Sequence, residues 1–296
     1  MNGTGVSEKS KQKRKITKLM LRKRVLVAAV LLPAAFIAIY FGGLFYSSLI
    51  SFLLLFAAWE HLQLLRTSGY SPAVYLALGS VLLIAQSRHF LAFSGAHAVL
   101  SMIVLASVTH HLITYERGRG EPGGDLGATL SVPLYTGWLG AYLISLRNLP
   151  QGMWWSFLIL PIVWLTDTGA YLIGTKFGSR PLSPRLSPKK TWEGYLGGIL
   201  SALLGTMFGI YLFRKYVPGS PALTYWEGLI LSLMISSLIP LGDLAESMLK
   251  RQAGVKDSGN MLPGHGGFFD RLDTILWALP LGYYLITYLF PILKNL

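Results

Sequence analysis

Asp167, Asp243, Asp270 and Asp273 stand in or beside long apolar runs, where an ionised carboxylate is costly unless a proton, a cation or a hydrogen-bond donor offsets it. Asp243, Glu246, Ser247 and Lys250 fall at i, i+3, i+4 and i+7 in the stretch Ser-Leu-Ile-Pro-Leu-Gly-Asp-Leu-Ala-Glu-Ser-Met-Leu-Lys-Arg. On a helix they form one polar stripe. Pro240, just before them, removes a backbone hydrogen bond and predicts a kink. Asp270 and Asp273, at i and i+3, open the next apolar block and share a face. Carboxylates without thiolate or imidazole partners suit a hard cation such as Mg²⁺, which takes one or two protein carboxylates and fills its shell with water and substrate phosphates. Asp243 and Asp270 are the expected pair. A snorkelling cluster at a helix end accounts for Lys250 and Arg251 but poorly for Asp243.

A second group of residues is suited to phosphate. Ser187, Lys189, Lys190 and Thr191 precede a helix start in Ser-Pro-Lys-Lys-Thr-Trp-Glu-Gly, where lysines, hydroxyls and free helix N–H groups form a polyphosphate cradle. A positive-inside anchor is the competing account of such a loop. Asp167, Ala170, Tyr171 and Gly174 share a helical face below Pro161, and an aspartate beside small residues implies a cavity rather than lipid. The glycines around His265 allow close backbone approach. His265 itself is open to three roles: donor to phosphate, base, or plain loop residue. His61, His89, His97, His110 and His111 lack metal-ligand spacing and are expected to pack or sit at the interface. Gly118–Gly123 matches G-x-G-x-x-G, but no strand precedes it and Pro122 interrupts it, so it is no dinucleotide fingerprint.

Long helices must position these groups. The chain has 296 residues and no cysteine; 52% of it is hydrophobic and 13% charged, too little polar surface to cover a soluble globule. Its apolar blocks approach the roughly 20 residues that cross a bilayer, without the alternation of a barrel. The expected fold is all-α: a polytopic membrane bundle of about nine transmembrane helices, near 24–41, 43–65, 72–87, 90–114, 127–146, 152–174, 194–213, 224–249 and 274–293. The basic run from Lys9 to Arg24 lacks a cleavage pattern, which reads as a cytoplasmic N-terminus and no signal peptide. On that assignment only Arg88, Arg147, Arg214, Lys215 and Lys294 of the 26 Lys and Arg lie on the outer face, satisfying the positive-inside rule. Glu227 alone among the acids lies there. The basic excess is thus explained by orientation and anionic headgroups, without nucleic acid. Three regions follow: a basic segment 1–23, N-terminal transmembrane helices 24–146, and a C-terminal catalytic region 147–296 whose cytoplasmic loops 175–193 and 250–273 flank a working surface.

Ser247, Leu249, Lys250, Arg251, Lys256, Asp257, Pro263, His265, Gly266, Gly267, Phe268, Asp270, Arg271, Leu272 and Asp273 all fit the pattern of the phosphatidate cytidylyltransferase (CDP-diacylglycerol synthase) family, which residues 247–273 resemble. Asp167-Thr168-Gly169-Ala170-Tyr171 and Ser187–Gly194 resemble that family's nucleotide-side motifs. The N-terminal half matches only as generic spans. The resemblance implies transfer of a cytidylyl group from CTP to phosphatidic acid, releasing pyrophosphate and forming CDP-diacylglycerol. It also implies Mg²⁺, with room for a second cation, and a homodimer in a bacterial plasma membrane, its site on the cytoplasmic side and its substrate drawn from bilayer lipid. In its terms Asp243, Asp270 and Asp273 are metal ligands. Lys250, Arg251 and Lys256 meet phosphates of either substrate, Asp273 either serves as a further metal ligand or holds Arg271, and Asp257 and His265 belong to the catalytic motif. Asp167, Tyr171, Ser187, Lys189, Lys190, Thr191 and Glu193, with Glu246 and Ser247, are expected to bind substrate. Two alternatives compete. An ion-coupled transporter should carry acids through both membrane halves, whereas here they stop at the inner end. A lipid kinase or a phosphotransferase that consumes CDP-lipids is the other, and the lysine-rich loop favours a nucleoside triphosphate.

Overall fold

The computed structural model describes residues 29, 33–118, 121–219, 223–261 and 266–294. The basic segment 1–23 lies outside them, as do residues 24–28 and 30–32 of the first expected span and residues 262–265, which include His265. A helical stretch over 33–41 leads into α1 (Gly43–Thr67), α2 (Val74–Phe90), α3 (Ala96–Glu116) and α4 (Pro122–Val132). A π-helical turn, Pro133–Trp138, joins α4 to α5 (Tyr142–Arg147). Then follow α6 (Gly152–Phe177), the strands β1 (Pro181–Ser183) and β2 (Ser187–Thr191), α7 (Trp192–Tyr216), α8 (Tyr225–Leu238) and α9 (Pro240–Gln252). The chain ends in α10 (Phe269–Leu272), α11 (Ile275–Tyr284), a second π-helical turn and α12 (Phe290–Lys294).

Among the described residues, six helices are long and apolar enough to cross a bilayer: α1, α3, α6, α7, the unit Tyr225–Gln252 and the unit Phe269–Lys294. The chain is therefore an all-α, multi-pass membrane protein. Two other expected spans take different forms. The one near 72–87 is the 17-residue α2, and the one near 127–146 is divided by the π-helical turn. The kink expected at Pro240 is a junction: α8 ends at Leu238, and the proline takes the first position of α9, where its missing N–H costs nothing.

The stretch between α6 and α7 is a hairpin rather than an irregular loop. Pro181 pairs with Thr191 and Ser183 with Ser187 in antiparallel register, and Trp192 N–H donates to the Arg180 carbonyl at 2.9 Å. Pro181, Pro184 and Pro188 hold their φ angles near −65°, compatible with extended chain. Thr191 then caps α7 by accepting from Gly194 N–H at 3.2 Å. Helices α6 and α7 lie backbone to backbone. A Cβ on Gly198 would stand 2.7 Å from the Thr166 carbonyl oxygen, and one on Gly194 2.8 Å from that of Ala170. Small residues at such a seam are what lets two spanning helices touch. The opposite face of α7 turns Leu196, Leu200, Leu204 and Phe208 outward.

At the far end of the bundle, Lys294 pairs with Glu227 at 3.3 Å, joining two residues that the charge count assigns to the same face. Arg88 is buried there, its guanidinium 3.5 Å from the Phe93 ring centre and 3.9 Å from that of Trp138. Gly198→Leu should force α6 and α7 apart at a cost of about 1–3 kcal/mol, read as a lower Tm of the detergent-solubilised protein. Gly79→Leu is the control, since a Cβ there meets nothing within 4 Å, and its Tm should stay at the wild-type value.

Candidate active site

A cavity of about 560 Å³ opens where α6, the hairpin, α9 and the segment leading into α11 converge. Helix α6 contributes Asp167 and Tyr171, the hairpin Lys189, Lys190 and Thr191, and α9 Asp243, Glu246 and Lys250. Asp257, Asp270, Arg271 and Asp273 close the other side. The two loops singled out by their charge therefore border one space. Asp167, Asp243, Glu246, Asp257, Asp270 and Asp273 face Lys189, Lys190, Lys250 and Arg271, so acids outnumber bases here in a chain with twice as many bases as acids overall. The local field favours an incoming cation.

Asp270 is the most engaged of these acids. Its Oδ1 accepts from Lys250 Nζ at 2.7 Å. Its Oδ2 accepts from Ser258 N–H at 3.0 Å, the Ser258 hydroxyl at 2.9 Å and Gly267 N–H at 2.9 Å. Lys250 Nζ also lies 3.2 Å from Glu246 Oε2, a pair on successive turns of α9, and Glu246 is wholly buried. Across the cavity Lys190 pairs with Asp243, whose Oδ1 accepts from the Ser247 hydroxyl at 3.3 Å. Asp273 Oδ1 accepts from Thr274 N–H at 2.7 Å. Gly242 brings Asp273 close to α9: a Cβ there would run into the Asp273 carbonyl and stand 2.7 Å from Trp277 Cδ1.

Some expected residues stand apart from this cavity. Glu193 fastens the base of the hairpin, accepting from Ser179 N–H at 3.1 Å, the Ser179 hydroxyl at 2.5 Å and Arg180 N–H at 3.3 Å. Ser187 opens β2 opposite Ser183. Arg251 donates to the Val255 carbonyl at 3.3 Å, and Lys256 is exposed beyond the end of α9. Ser247 acts through Asp243, and Thr191 both borders the cavity and caps α7. One residue of the site's surroundings has no counterpart in the expected set. Glu60 on α1 accepts from the Ser258 hydroxyl at 3.0 Å and from Phe269 N–H at 2.9 Å.

The sequence profile of the cytidylyltransferase family matches residues 22–289. The chain belongs to that family. A phosphatidate cytidylyltransferase of Synechocystis sp. is 30% identical across 94% of this chain and 100% of its own length. That of Pseudomonas aeruginosa is 36% identical across 88% and 95%, and that of Bacillus subtilis 38% identical across 64% and 65%. The cytidylyltransferase match thus takes in the N-terminal helices, which the motifs do not reach.

In this cytidylyltransferase the donors that could hold a metal are hard oxygens. Among the described residues, no three His, Asp or Glu side chains stand together as a complete cage. Hard oxygens of this kind would suit Mg²⁺, which relies on substrate phosphates and water for most of its shell. All three carboxylates line the cavity and already have partners: Asp243 receives Lys190 and Ser247, Asp273 receives Thr274, and the oxygens of Asp270 receive Lys250 and three loop donors. Lys250→Met would leave Glu246 and Asp270 without their shared ammonium. The expected cost is about 3–5 kcal/mol, read as a large fall in Tm that Glu246→Gln partly restores. Lys190→Met, at the more open pair, should cost about 1 kcal/mol or less.

Proposed function

We propose that the chain transfers the cytidylyl group of CTP to phosphatidic acid, forming CDP-diacylglycerol and releasing pyrophosphate. The observation that carries this is the convergence on one cavity of the Lys189–Lys190 hairpin with Asp243, Asp270 and Asp273, in a chain whose relatives named phosphatidate cytidylyltransferase align over nearly all of it. A phosphate oxygen of phosphatidic acid attacks the α-phosphorus of CTP. A new P–O bond forms as the bond from that phosphorus to the bridging oxygen breaks, and pyrophosphate leaves with the electron pair. The second pKa of a phosphomonoester is about 6, so the nucleophile is already ionised near neutrality and no strong base is required.

The barrier lies in bringing two polyanions together. Lys189 and Lys190 take the triphosphate, Asp167 and Tyr171 border the nucleotide, and Lys250 with Arg271 offsets charge on the facing wall. Asp243 and Asp273, with Asp270 alongside, would hold Mg²⁺, which would supply neutralisation and alignment of the phosphates, alone or with a second cation. The N-terminus and the cavity lie on the cytoplasmic side of a bacterial plasma membrane. About nine helices cross it, residues 147–296 carry the catalysis, and the working unit is a homodimer. The concentration of acids at one helix-end cavity supports a site acting on headgroups drawn from the bilayer.

Purified protein given labelled CTP, Mg²⁺ and phosphatidic acid should yield a CDP-lipid, and ATP should not replace CTP. Asp243→Asn and Asp270→Asn should each lower turnover by about 100-fold or more. Full Mg²⁺-dependent activity in either variant would sink the site assignment, and substrate flux without nucleotide turnover in proteoliposomes would sink the reaction.

A further inference from the structure

We propose that Glu60, in the N-terminal half of the chain, is a positioning residue for the transfer, fixing the loop that aims Asp270. The kinetic part of this proposal rests on the cytidylyl-transfer reading; its structural part rests on geometry alone. Glu60 lies on α1 in the run Ala-Ala-Trp-Glu-His-Leu and is 2% exposed. Its Oε2 accepts from Phe269 N–H and from the Ser258 hydroxyl, and both donors lead directly to Asp270. Phe269 is its neighbour in sequence. Ser258 donates its main-chain N–H to Asp270 Oδ2, places its Oγ 2.9 Å from the same oxygen, and accepts from Asp270 N–H at 3.3 Å. A hydroxyl has one proton to give, so the Glu60 and Asp270 carboxyls are coupled through a single atom.

The rest of α1 grips the same point. Phe56, one turn before Glu60, stacks on Phe268 at 5.0 Å between ring centres, and His61 stacks on Phe269 at 4.9 Å. Two loop glycines leave room for the carboxylate. A Cβ on Gly259 would stand 3.0 Å from Glu60 Cγ, and one on Gly267 would overlap Glu60 Oε2 and Ser258 Oγ. Helix α10 has only four residues, too few to hold its own direction. Asp270 therefore takes its orientation from outside anchors, and among the described residues Glu60 supplies hydrogen-bond acceptance to them from the N-terminal half beside the Phe56 and His61 stacks. A catalytic group misplaced by about 1 Å costs on the order of 100-fold in rate.

The test is Glu60→Ala and Glu60→Gln in the full-length protein, by steady-state kinetics and by amide hydrogen exchange at Ser258, Gly267 and Phe269. Glu60→Ala should lower kcat about 100-fold while KM for CTP stays within about 3-fold. It should speed exchange at those three amides and leave the β1–β2 hairpin unchanged. Glu60→Gln, whose side-chain carbonyl can take the place of Oε2 and accept from both Phe269 N–H and the Ser258 hydroxyl, should keep kcat within about 5-fold. Should Glu60→Ala fail to fold, Ser258→Ala and Gly267→Ala each break the contact with a single-atom or single-methyl change and should show the same kcat loss. Wild-type kcat in the broken-contact variants, unchanged exchange, or a Gln variant as slow as the Ala variant would overturn the proposal. A wild-type protein that makes no CDP-lipid would instead overturn the reaction, and the exchange result would then decide Glu60 by itself.

Discussion

Lys250 and Asp270 stand 2.7 Å apart where two spanning helices meet, in surroundings that tolerate neither charge alone. Lys250 also faces the wholly buried Glu246, so one ammonium serves two carboxylates. That arrangement is acceptable only because backbone donors from the 258–267 segment supply what Lys250 cannot. Ser258 and Gly267 consequently aim their N–H groups at a single oxygen. From this demand follow the glycines, the short α10, and the close approach of Asp273 to α9 across Gly242.

The second constraint is that the nucleotide-side elements behave as one piece. Helices α6 and α7 touch along glycines, and Glu193 ties Ser179 and Arg180 to the start of α7. Lys189 and Lys190 are thus presented on a hairpin whose base is held by a carboxylate and whose end is a helix cap. A loop carrying the same lysines without these ties would lose side-chain and backbone freedom each time it gathered around a polyanion.

The polar stripe of α9 is legible in sequence because helical spacing is local: Asp243, Glu246 and Lys250 do line one wall. The glycine–histidine segment is legible as a family pattern, and the apolar blocks as spans. What escapes is whatever depends on distant chain. Glu60 sits in an apolar run with no motif around it, and its partners lie 198 and 209 residues further on. Its only local signal is an acid inside a spanning helix. The hairpin is obscured because three prolines and several cations read as irregular loop, although prolines tolerate extended chain. The π-helical turn at Pro133–Trp138 leaves no mark in composition, yet it sends neighbours to different partners: Tyr135 accepts from Trp277, and Thr136 meets His61.

The Lys190–Asp243 pair has a consequence for how the cavity fills. A phosphate that draws on Lys190 competes with Asp243 for the same ammonium, so taking up a polyanion there redistributes an existing ion pair rather than adding a free contact. Salt weakens the contact already present along with the one that competes with it. The affinity for nucleotide should therefore vary with ionic strength less steeply than the number of basic residues around the cavity would suggest.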